Sequence, residues 1–383
     1  MRILLTSPSY PPFNSGLGNA VAQQAALLAM AGHKVVVATG GTQRGFREEE
    51  GIRVETFVLT GADCCLQPIR GDVRSYTEFL LHNHWDVVLF NAWQNWATDL
   101  ALLHWKEISG RKFVYSHCIS TNVFYSHQPL RSFLRYCAWR PYWWRLPRLM
   151  NHLDGLLFLA SEGSDSRFDD LRSARKRKIP LWFVPNSLSP AATAVLSRPQ
   201  RPLQARDRLM AVGSYHWQKG FDFLIRAYAA SHAHQLYPLH LYGQQASAYS
   251  QSLRSLSQRL GLSDENVVFH VGISGDELMD AYEQARLFLC GSHTECQPLV
   301  LLDANASGTP FVARKTGCIG LMPGGVAVNS FREMASQIDR LNADTSSWQV
   351  LAEAGRYAAQ ECHHPSITSQ LLLSALDLPK VVG

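Results

Sequence analysis

One stretch constrains the fold of this chain more than any other: GSHTECQPLVLLDANASGTP, at positions 291–310. An apolar run of strand length, Leu287–Cys290, precedes it, and a polar loop follows that run. Pro298 suits the first turn of a helix, where a missing N–H costs nothing, and Gly308 is a typical helix end. The stretch therefore predicts a buried strand that delivers Glu295 to the N-terminus of a helix.

Two carboxylates, Glu295 and Asp303, lie eight residues apart around this predicted helix N-terminus. Exposed N–H groups at a helix N-terminus favour an anion such as a diphosphate. Carboxylates accept hydrogen bonds from sugar or ribose hydroxyls. The stretch therefore suits a phosphorylated sugar compound. A buried strand and an amphipathic helix whose acidic residues are merely solvated would give the same pattern.

Composition indicates an ordinary globular protein of more than one domain. At 383 residues the chain is long enough for two cores, and 46% apolar with 17% charged residues excludes a disordered chain. The formal net charge of +5 permits an anionic partner without identifying one. Because no run of 18 apolar residues occurs and the N-terminus is not a signal peptide, we expect a cytoplasmic protein without a spanning helix.

The eight cysteines show no CxxC spacing, so neither a zinc site nor a disulfide framework is indicated. We expect them to be reduced and mostly buried. No Asp-x-Asp motif appears either. We therefore predict no metal site.

Strand-length apolar runs alternate with helical segments, which predicts an α/β protein with parallel sheets. Residues 1–187 are predicted to form a first Rossmann-like domain and residues 207–360 a second one. Residues 188–206 are rich in Pro, Ser, Ala and Arg, which is typical of an interdomain linker. The remaining residues, 361–383, include a terminal helix.

Two features of the first domain are candidates for ligand binding. Gly16 and Gly18 lie in a predicted loop before a helix at Ala20–Ala31, where glycine lets a backbone approach a ligand; a plain tight turn fits equally well. His117 ends the predicted strand Lys112–His117, and ligands bind at the carboxyl ends of such strands. A histidine that only caps the strand is the alternative.

The segment 125–151 interleaves arginines with aromatic residues and is unusual for a plain Rossmann domain. Such a pattern suits an anionic, amphipathic interface such as a membrane surface. It also suits a helix that packs its aromatics inward and turns its arginines to water. Pro141 and Pro147 are expected to interrupt any long helix here. Because basic residues do not spread over the rest of the chain, we expect no nucleic-acid partner.

The stretch 291–310 resembles the Glu-x7-Glu motif of the retaining, nucleotide-sugar-dependent glycosyltransferases of family four. Glu295 matches the first glutamate, and Asp303 stands at the second position. A second motif, GSYHWQKG at 213–220, is similar to the family's Gly-Arg…Lys-Gly pattern, with Lys219 matched and Ser214 at the arginine position. The resemblance implies the GT-B fold: two facing Rossmann-like parallel-sheet domains with an interdomain cleft, and a C-terminal helix that crosses back.

The resemblance also implies roles for individual residues. Glu295 would hold the donor sugar hydroxyls, and Asp303 the ribose. Lys219, Leu299 and Val300 would contact the diphosphate, where Ser214 stands at the position of the family's arginine. Gly272 would lie at the nucleotide base. Gly16 and Gly18 would lie at the donor phosphate and acceptor, and His117 near the reacting sugar.

The activity implied is that of a metal-independent, retaining glycosyltransferase of the hexosyltransferase class. It would transfer a sugar from a nucleoside-diphosphate sugar to a glycan or lipid-linked acceptor in polysaccharide biosynthesis, with the leaving phosphate helping to deprotonate the acceptor. We expect no cofactor and a cytoplasmic location, peripheral to the inner face of the membrane through Arg131–Arg148. The alternative is a catalytically degenerate nucleotide-sugar-binding subunit, or a scaffold at the membrane surface, because Ser214 and Asp303 depart from the family pattern.

Overall fold

The computed structural model describes residues 1–13, 15–62, 67–119, 121–125, 128–163 and 166–377. The chain divides into two compact units. The first contains Met1–Ser187 and Pro365–Gly383, and the second contains Leu188–His364. Each unit is built on a parallel β-sheet covered by helices. The predicted α/β class with two Rossmann-like domains is confirmed.

The strands in chain order are β1 (Arg2–Ser7), β2 (Lys34–Gly40), β3 (Gly45–Glu49), β4 (Ile52–Phe57), β5 (Leu59–Thr60), β6 (Arg70–Gly71), β7 (Val87–Asn91), β8 (Arg111–Ser116), β9 (Gly155–Phe158), β10 (Leu181–Phe183), β11 (Arg208–Val212), β12 (Leu239–Gly243), β13 (Val267–Val271), β14 (Ala285–Cys290), β15 (Phe311–Arg314) and β16 (Gly325–Val328).

The helices in chain order are α1 (Gly16–Met30), α2 (Val73–His82), α3 (Trp96–Leu103), α4 (Pro129–Met150), α5 (Asp169–Lys176), α6 (Pro190–Leu196), α7 (Phe221–Ala230), α8 (Ala248–Arg259), α9 (Gly275–Gln284), α10 (Leu299–Ala306), α11 (Phe331–Ala343), α12 (Thr345–Cys362) and α13 (Pro365–Ala375).

The main sheet of the first unit has the strand order β10-β9-β8-β7-β1-β2-β4-β3. Neighbouring strands are parallel except for the hairpin of β3 with β4. The central strands β1, β7 and β8 are buried, because they are apolar and covered on both faces. From β1 the strand order proceeds in both directions, so the topological switch point lies between β1 and β7.

The sheet of the second unit has the order β13-β12-β11-β14-β15-β16, and all its neighbours are parallel. Relative to chain order this is 3-2-1-4-5-6, the arrangement of dinucleotide-binding folds. Its switch point lies between β11 and β14. Apolar clusters cover the sheet, one packed with α7, α8 and α11 and the other with α6, α9 and α10. The loops that follow β11 and β14 therefore meet at the edge where such folds bind ligands.

The predicted linker is wrong, because residues 188–206 belong to the second unit. They contain α6, whose Ala192, Val195 and Leu196 are buried in the core of that unit. Arg206 is also buried. Its guanidinium donates to the carbonyls of Ala285 (2.8 Å), Ser307 (3.1 Å) and Gly308 (3.1 Å).

The two ends of the first unit differ from the prediction in detail. Helix α1 begins at Gly16, not after Gly18, because Ser15 caps it by accepting from the backbone N–H of Gly18 at 2.9 Å. The C-terminal helix that belongs to this unit is α13, which begins at Pro365. Residues 378–383 of the predicted terminal segment lie outside the described residues.

Helix α4 is continuous over 22 residues, so the prediction that Pro141 and Pro147 break it is wrong. A proline inside a helix removes one backbone hydrogen bond. Burial of Trp139, Leu146 and Met150 on one side of α4 offsets this loss, since tertiary packing supplies most of a helix's stability.

The expectation that all cysteines are reduced is also wrong. Cys118 takes part in a disulfide bond and so does Cys296, whereas Cys137, Cys290, Cys318 and Cys362 are free thiols. Cys64 and Cys65 lie outside the described residues. Among the helices that the structure describes, none is long and apolar enough to cross a bilayer.

Candidate functional site

The loops after β11 and β14 bring a cation and a carboxylate together at the switch point of the second sheet. Lys219 Nζ donates to Glu295 Oε1 at 2.6 Å. The lysine side chain is 36% exposed and the glutamate 13%, so the pair is accessible from one side. Within the described residues Glu295 Oε2 accepts no hydrogen bond. It is therefore available to a ligand hydroxyl.

Two glycines allow these loops to lie side by side. Gly220 has a φ of +61°, and a Cβ added there would lie 2.1 Å from the carbonyl oxygen of Gly291. A Cβ added at Gly291 would lie 2.3 Å from the carbonyl oxygen of Gly220. His293 N–H donates to the carbonyl of Gln218 at 2.8 Å and fixes the register of the contact. The close backbone approach is what places Lys219 against Glu295.

The charge of Lys219 is maintained by its partner. Burial alone would lower the pKa of the ammonium group, but the Glu295 carboxylate and its hydrogen bond raise that pKa by more, so the net shift is upward. Lys219 therefore stays protonated at neutral pH. Its stem packs over Gly213, where an added Cβ would lie 3.3 Å from Lys219 Cγ. A permanent cation is thus held at the end of β11.

Helix α10 begins directly after the Glu295 loop and lacks a side-chain cap, because its N-cap is Pro298. The first N–H groups of a helix have no partner within the helix. Those of Leu299 and Val300, both half-buried, are the ones that an anion would meet. The structure therefore has the uncapped helix N-terminus after the Glu295 loop that the sequence predicts.

Asp303 lies on α10, and its carboxyl group accepts no hydrogen bond from the described residues. Burial raises the pKa of its carboxyl group from 3.8 to about 7. Asp303 as a whole is only half-buried, so a ligand can reach this residue. A carboxyl group that is desolvated and unpaired is typical of a binding site that awaits donors.

Two other predicted positions, Ser214 and Gly272, lie on the same edge, together with Arg314. Ser214 is exposed, and it carries no charge to replace the arginine of the family pattern. Gly272, directly after β13, has a φ of +80° and no atom within 4 Å of an added Cβ, which leaves open space beside it. Arg314, at the end of β15, shares a 2.9 Å hydrogen bond with His293 Nδ1. That contact ties Arg314 to the loop that carries Glu295.

Sequence reasoning missed the loop that supports Glu295 from behind. Glu295 N–H donates to Thr316 Oγ1 at 3.4 Å, and Cys318 N–H donates to the Cys296 carbonyl at 3.0 Å. Gly317 has a φ of +57°, and an added Cβ would lie 2.3 Å from the Glu295 carbonyl oxygen. The glycines of the loop after β15 were the available signal, but they do not tell which backbone they approach.

In the first unit, Gly16 and Gly18 form the first turn of α1 instead of a loop. Gly18 is buried, and an added Cβ would lie 2.9 Å from Ser15 Oγ and 3.1 Å from the Ser9 carbonyl oxygen. An added Cβ at Gly16 would meet no atom within 4 Å. Gly18 therefore serves packing, while Gly16 leaves the start of the helix open at the first switch point.

His117 directly follows β8, one strand away from that switch point. Its Nε2 lies 3.1 Å from Asn91 Oδ1 at the end of β7, and its ring lies 4.9 Å from the ring of Tyr115. Burial lowers the pKa of His117 from 6.5 to about 4, so the imidazole is neutral at physiological pH.

Each unit therefore gathers its own predicted residues at the carboxyl edge of its sheet. The second unit holds Lys219, Glu295, Leu299, Val300, Asp303, Ser214 and Gly272. The first unit holds His117, Gly16 and Gly18. In the part of the chain that is described, no group of three or more His, Cys, Asp or Glu side chains is arranged to hold a metal ion.

Part of the second unit matches a family of known proteins. Residues 206–344 match the family model described as Glycosyl transferases group 1. A D-inositol 3-phosphate glycosyltransferase of Acidothermus cellulolyticus is 30% identical over 145 residues, which are 33% of this chain and 32% of that protein. The chain thus spans about a third of the length of this curated relative.

Solved structures resemble the chain over nearly its whole length. Sucrose-phosphate synthase from Thermosynechococcus elongatus has a TM-score of 0.72 at 18% identity and covers 97% of both chains. WaaG, a glycosyltransferase involved in lipopolysaccharide biosynthesis, has a TM-score of 0.68 at 17% identity and covers 97% of this chain and 99% of its own. At these identities the likeness shows the fold.

Proposed function

We propose that this chain, whose residues 206–344 belong to the Glycosyl transferases group 1 family, transfers a sugar from a nucleoside-diphosphate sugar to a glycan or lipid-linked acceptor. The observation that carries the proposal is the Lys219–Glu295 ion pair at the switch point of the second sheet. A nucleotide-sugar donor needs a cation for its diphosphate and an acceptor group for its hydroxyls. This pair supplies both within one hydrogen-bonded unit.

The second unit would bind the donor. The ammonium group of Lys219 has two N–H bonds beyond the one given to Glu295, and these would contact the diphosphate. The N–H groups of Leu299 and Val300 would contact it from the helix end. Glu295 Oε2 would accept from the sugar hydroxyls, and Asp303 from the ribose hydroxyls. The open space at Gly272 suits the base.

Retention of configuration and independence of a metal ion are part of this proposal. When the bond between the anomeric carbon and the phosphate oxygen breaks, negative charge grows on the diphosphate. Lys219 and the α10 N-terminus would neutralise that charge in the way a divalent cation does elsewhere. The leaving phosphate would take the acceptor proton, so we assign no side-chain base. His117 and the open start of α1 at Gly16 would serve the acceptor side in the first unit.

The first experiment is a thermal-shift panel of nucleoside diphosphates and their sugars, with and without EDTA. A ligand that binds the native state raises the melting temperature by mass action. We expect a shift with one base that EDTA leaves unchanged, followed by turnover with a glycan or lipid-linked acceptor. A shift without turnover would favour the alternative of a degenerate binding subunit. No shift with any nucleotide would overturn the donor site.

Glu295→Ala tests the site directly. We expect turnover below about a tenth of wild type, since loss of one such polar contact in a transition state costs ~2.7–4 kcal/mol. The matched control is Glu265→Ala, because Glu265 is exposed and lies away from the carboxyl edge, between α8 and β13. Circular dichroism and melting temperature verify that both variants fold. Glu295→Ala with more than a tenth of wild-type activity would remove the assignment.

We further propose that α4 lies on the inner face of an anionic membrane and brings the chain to a lipid-linked acceptor. The face of α4 opposite its buried side exposes Leu130 (69%), Phe133 (53%), Leu134 (58%) and Trp144 (66%). These positions recur at helical spacing along one side of the helix. Four large apolar side chains in one row are an unusual surface for a soluble unit.

The charge of this α4 face supports the proposal of an anionic partner. Arg131, Arg145 and Arg148 are exposed beside the apolar row, and no acidic residue occurs between Pro129 and Met150. Apolar side chains that enter the headgroup region, flanked by arginines that pair with phosphates, are typical of helices that lie in the membrane interface. We therefore name an anionic lipid surface as the occupant of this face.

Co-sedimentation with vesicles tests the α4 face. Wild-type protein should bind anionic phosphatidylglycerol vesicles and not neutral phosphatidylcholine vesicles, and salt should weaken the binding. Phe133→Ala/Trp144→Ala should reduce binding at least tenfold. Met30→Ala is the control, because Met30 is 83% exposed on α1 of the same unit. Equal binding of wild type and the double variant, or none to anionic vesicles, would overturn this part of the proposal.

A further inference from the structure

We propose that Asn91 is a positioning residue that holds His117 in one neutral tautomer, with the proton on Nε2 and the lone pair of Nδ1 turned to a substrate hydroxyl. The inference rests on the proposed function, because it takes the hydroxyl to belong to a sugar bound at the carboxyl edge of the first sheet. The sequence analysis assigns no role to Asn91.

The contact between the two side chains follows from the sheet. Asn91 is the last residue of β7, and His117 is the first residue after β8. These strands are paired with Asn91 opposite Tyr115, so the two side chains leave the sheet at the same edge. Asn91 is completely buried, and its Oδ1 lies 3.1 Å from His117 Nε2. An amide oxygen only accepts, so Nε2 must carry the hydrogen.

Neighbouring groups hold the imidazole in this orientation. The ring of Tyr115 lies 4.9 Å from the ring of His117 at a tilt of 32°. The Tyr115 hydroxyl donates to the carbonyl of Val184, which fixes the tyrosine ring in turn. Tyr115 is almost fully buried, so packing holds its ring in place. The imidazole is therefore held on one face by Tyr115 and at one nitrogen by Asn91.

The backbone around the contact is strained. Ala92 follows Asn91 with a φ of +62°, Gln94 has a φ of +60°, and Cys118 follows His117 with a φ of +69°. A residue other than glycine in this left-handed region costs of order 1–3 kcal/mol and persists where the surroundings impose it. The N–H of Ala92 donates to the Tyr115 carbonyl at 2.9 Å, which ties the two strained turns together. Such strain clusters at functional sites.

The imidazole is neutral as well as oriented. Burial lowers the pKa of His117 to about 4, and no charged group adds to that shift. The buried carboxylate of Asp170 on α5 accepts from Ser116 and Trp93 instead. A neutral imidazole that donates through Nε2 has Nδ1 left as an acceptor. Nδ1 has no hydrogen-bond partner among the described residues.

The side-chain amide of Asn91 makes a hydrogen bond through Oδ1 but not through Nδ2. This difference favours a positioning role over a purely structural one. Its Nδ2 is buried and has no hydrogen-bond partner among the described residues. A purely structural asparagine would be expected to satisfy both ends of its amide. Replacement by leucine, which has nearly the same shape, removes an unpaired N–H group together with the contact to His117. Asn91→Leu should therefore fold.

The experiment records two-bond ¹H–¹⁵N spectra of the full chain labelled at histidine. The His117 signals among the 15 histidines are assigned by their absence in His117→Gln. Wild type should show protonated Nε2 and unprotonated Nδ1 from pH 6 to pH 8. In Asn91→Leu this preference should disappear. In Asn91→Asp the tautomer should persist and the pKa of His117 should rise, because a carboxylate favours the imidazolium form.

The outcomes separate this inference from the proposed function. Protonated Nδ1 in wild type, or a tautomer that Asn91→Leu leaves unchanged, overturns the inference whatever the enzyme does. If a transferase assay is in hand, Asn91→Leu should lower kcat at least tenfold and change the KM for the donor less than threefold. Absence of any turnover in wild type would contradict the proposed function. It would leave the tautomer result as it stands.

Discussion

Both sheets consist mainly of parallel strands and have a switch point at their centre, yet one switch point carries a charged pair and the other a neutral pair. In the second unit the edge presents a charged pair, Lys219 with Glu295, at 2.6 Å. In the first unit the edge presents a neutral pair, His117 with Asn91, at 3.1 Å. Burial lowers the pKa of both cationic groups. For Lys219 the partner carboxylate raises the pKa by more than burial lowers it, whereas for His117 no group opposes the effect of burial.

The difference teaches what each edge is suited to bind. A retained cation with an adjacent carboxylate suits a diphosphate that carries a sugar. An uncharged imidazole suits a hydroxyl that must be oriented without being paired to a charge. The two edges also differ in backbone conformation. The second edge uses glycines to bring loops together, whereas the first edge imposes left-handed conformations on Ala92, Gln94 and Cys118.

The largest effect is expected where the charged edge is made neutral. Lys219→Met should lower kcat by about 10²–10³-fold, because the leaving diphosphate loses its cation and meets the unpaired Glu295 carboxylate. Steady-state kinetics with the donor identified by thermal shift would measure this. Lys176→Met, at an exposed position on α5, is the matched control. Turnover within threefold of wild type would mean that another cation performs this role.

A smaller effect is expected from separating the loops of the second edge. Gly220→Ala should lower the free energy of unfolding by about 3 kcal/mol, since the new Cβ would clash with the Gly291 carbonyl in addition to the strained φ. Gly261→Ala is the control: its φ is +77°, but no atom lies within 4 Å, so only strain of about 1 kcal/mol is added. Urea denaturation compares them. Equal losses would show that the loops do not depend on the glycine contact.

The smallest effect concerns the one residue of the second edge that burial neutralises. Asp303 has a pKa raised to about 7, so it is largely protonated at pH 6 and ionised at pH 8. Because the proposed role of the ionised form is to accept from ribose hydroxyls, affinity for the nucleotide sugar should rise with pH, by up to about tenfold across this range. Calorimetric titration would measure it. Asp303→Asn should give a flat profile, and the same slope in both proteins would contradict the assignment.

Much of the fold could be predicted because buried parallel strands appear in the sequence as continuous apolar runs. Strand β8 is an example, as the strand predicted at Lys112–His117 is observed at Arg111–Ser116. Strand β3 escaped prediction because it is exposed and charged, and it forms only by pairing with β4. Residues 188–206 were taken for a linker because composition does not show that Arg206 has buried carbonyl partners.

The positions of Glu295 and Leu299 beyond the end of β14 could be predicted, because only a short loop separates them from that strand. The remaining parts of the two edges depend on which distant backbones meet. A glycine in the sequence does not indicate that Gly220 approaches Gly291 from 71 positions away. An asparagine that ends a strand does not indicate that its neighbour strand delivers a histidine. Such contacts arise from tertiary structure, so the contact of Asn91 with His117 could be found only in the structure.

Arg206 places a full positive charge at the C-terminal end of helix α10. Burial lowers its pKa to about 9, so the guanidinium stays charged at neutral pH. The peptide dipoles of a helix sum to a partial positive pole at its N-terminus and a partial negative pole at its C-terminus. Arg206 contacts the carbonyls of Ser307 and Gly308 and thereby cancels the negative pole. The positive pole at Leu299 is left unopposed, so an anion there is attracted by a residue that it never touches.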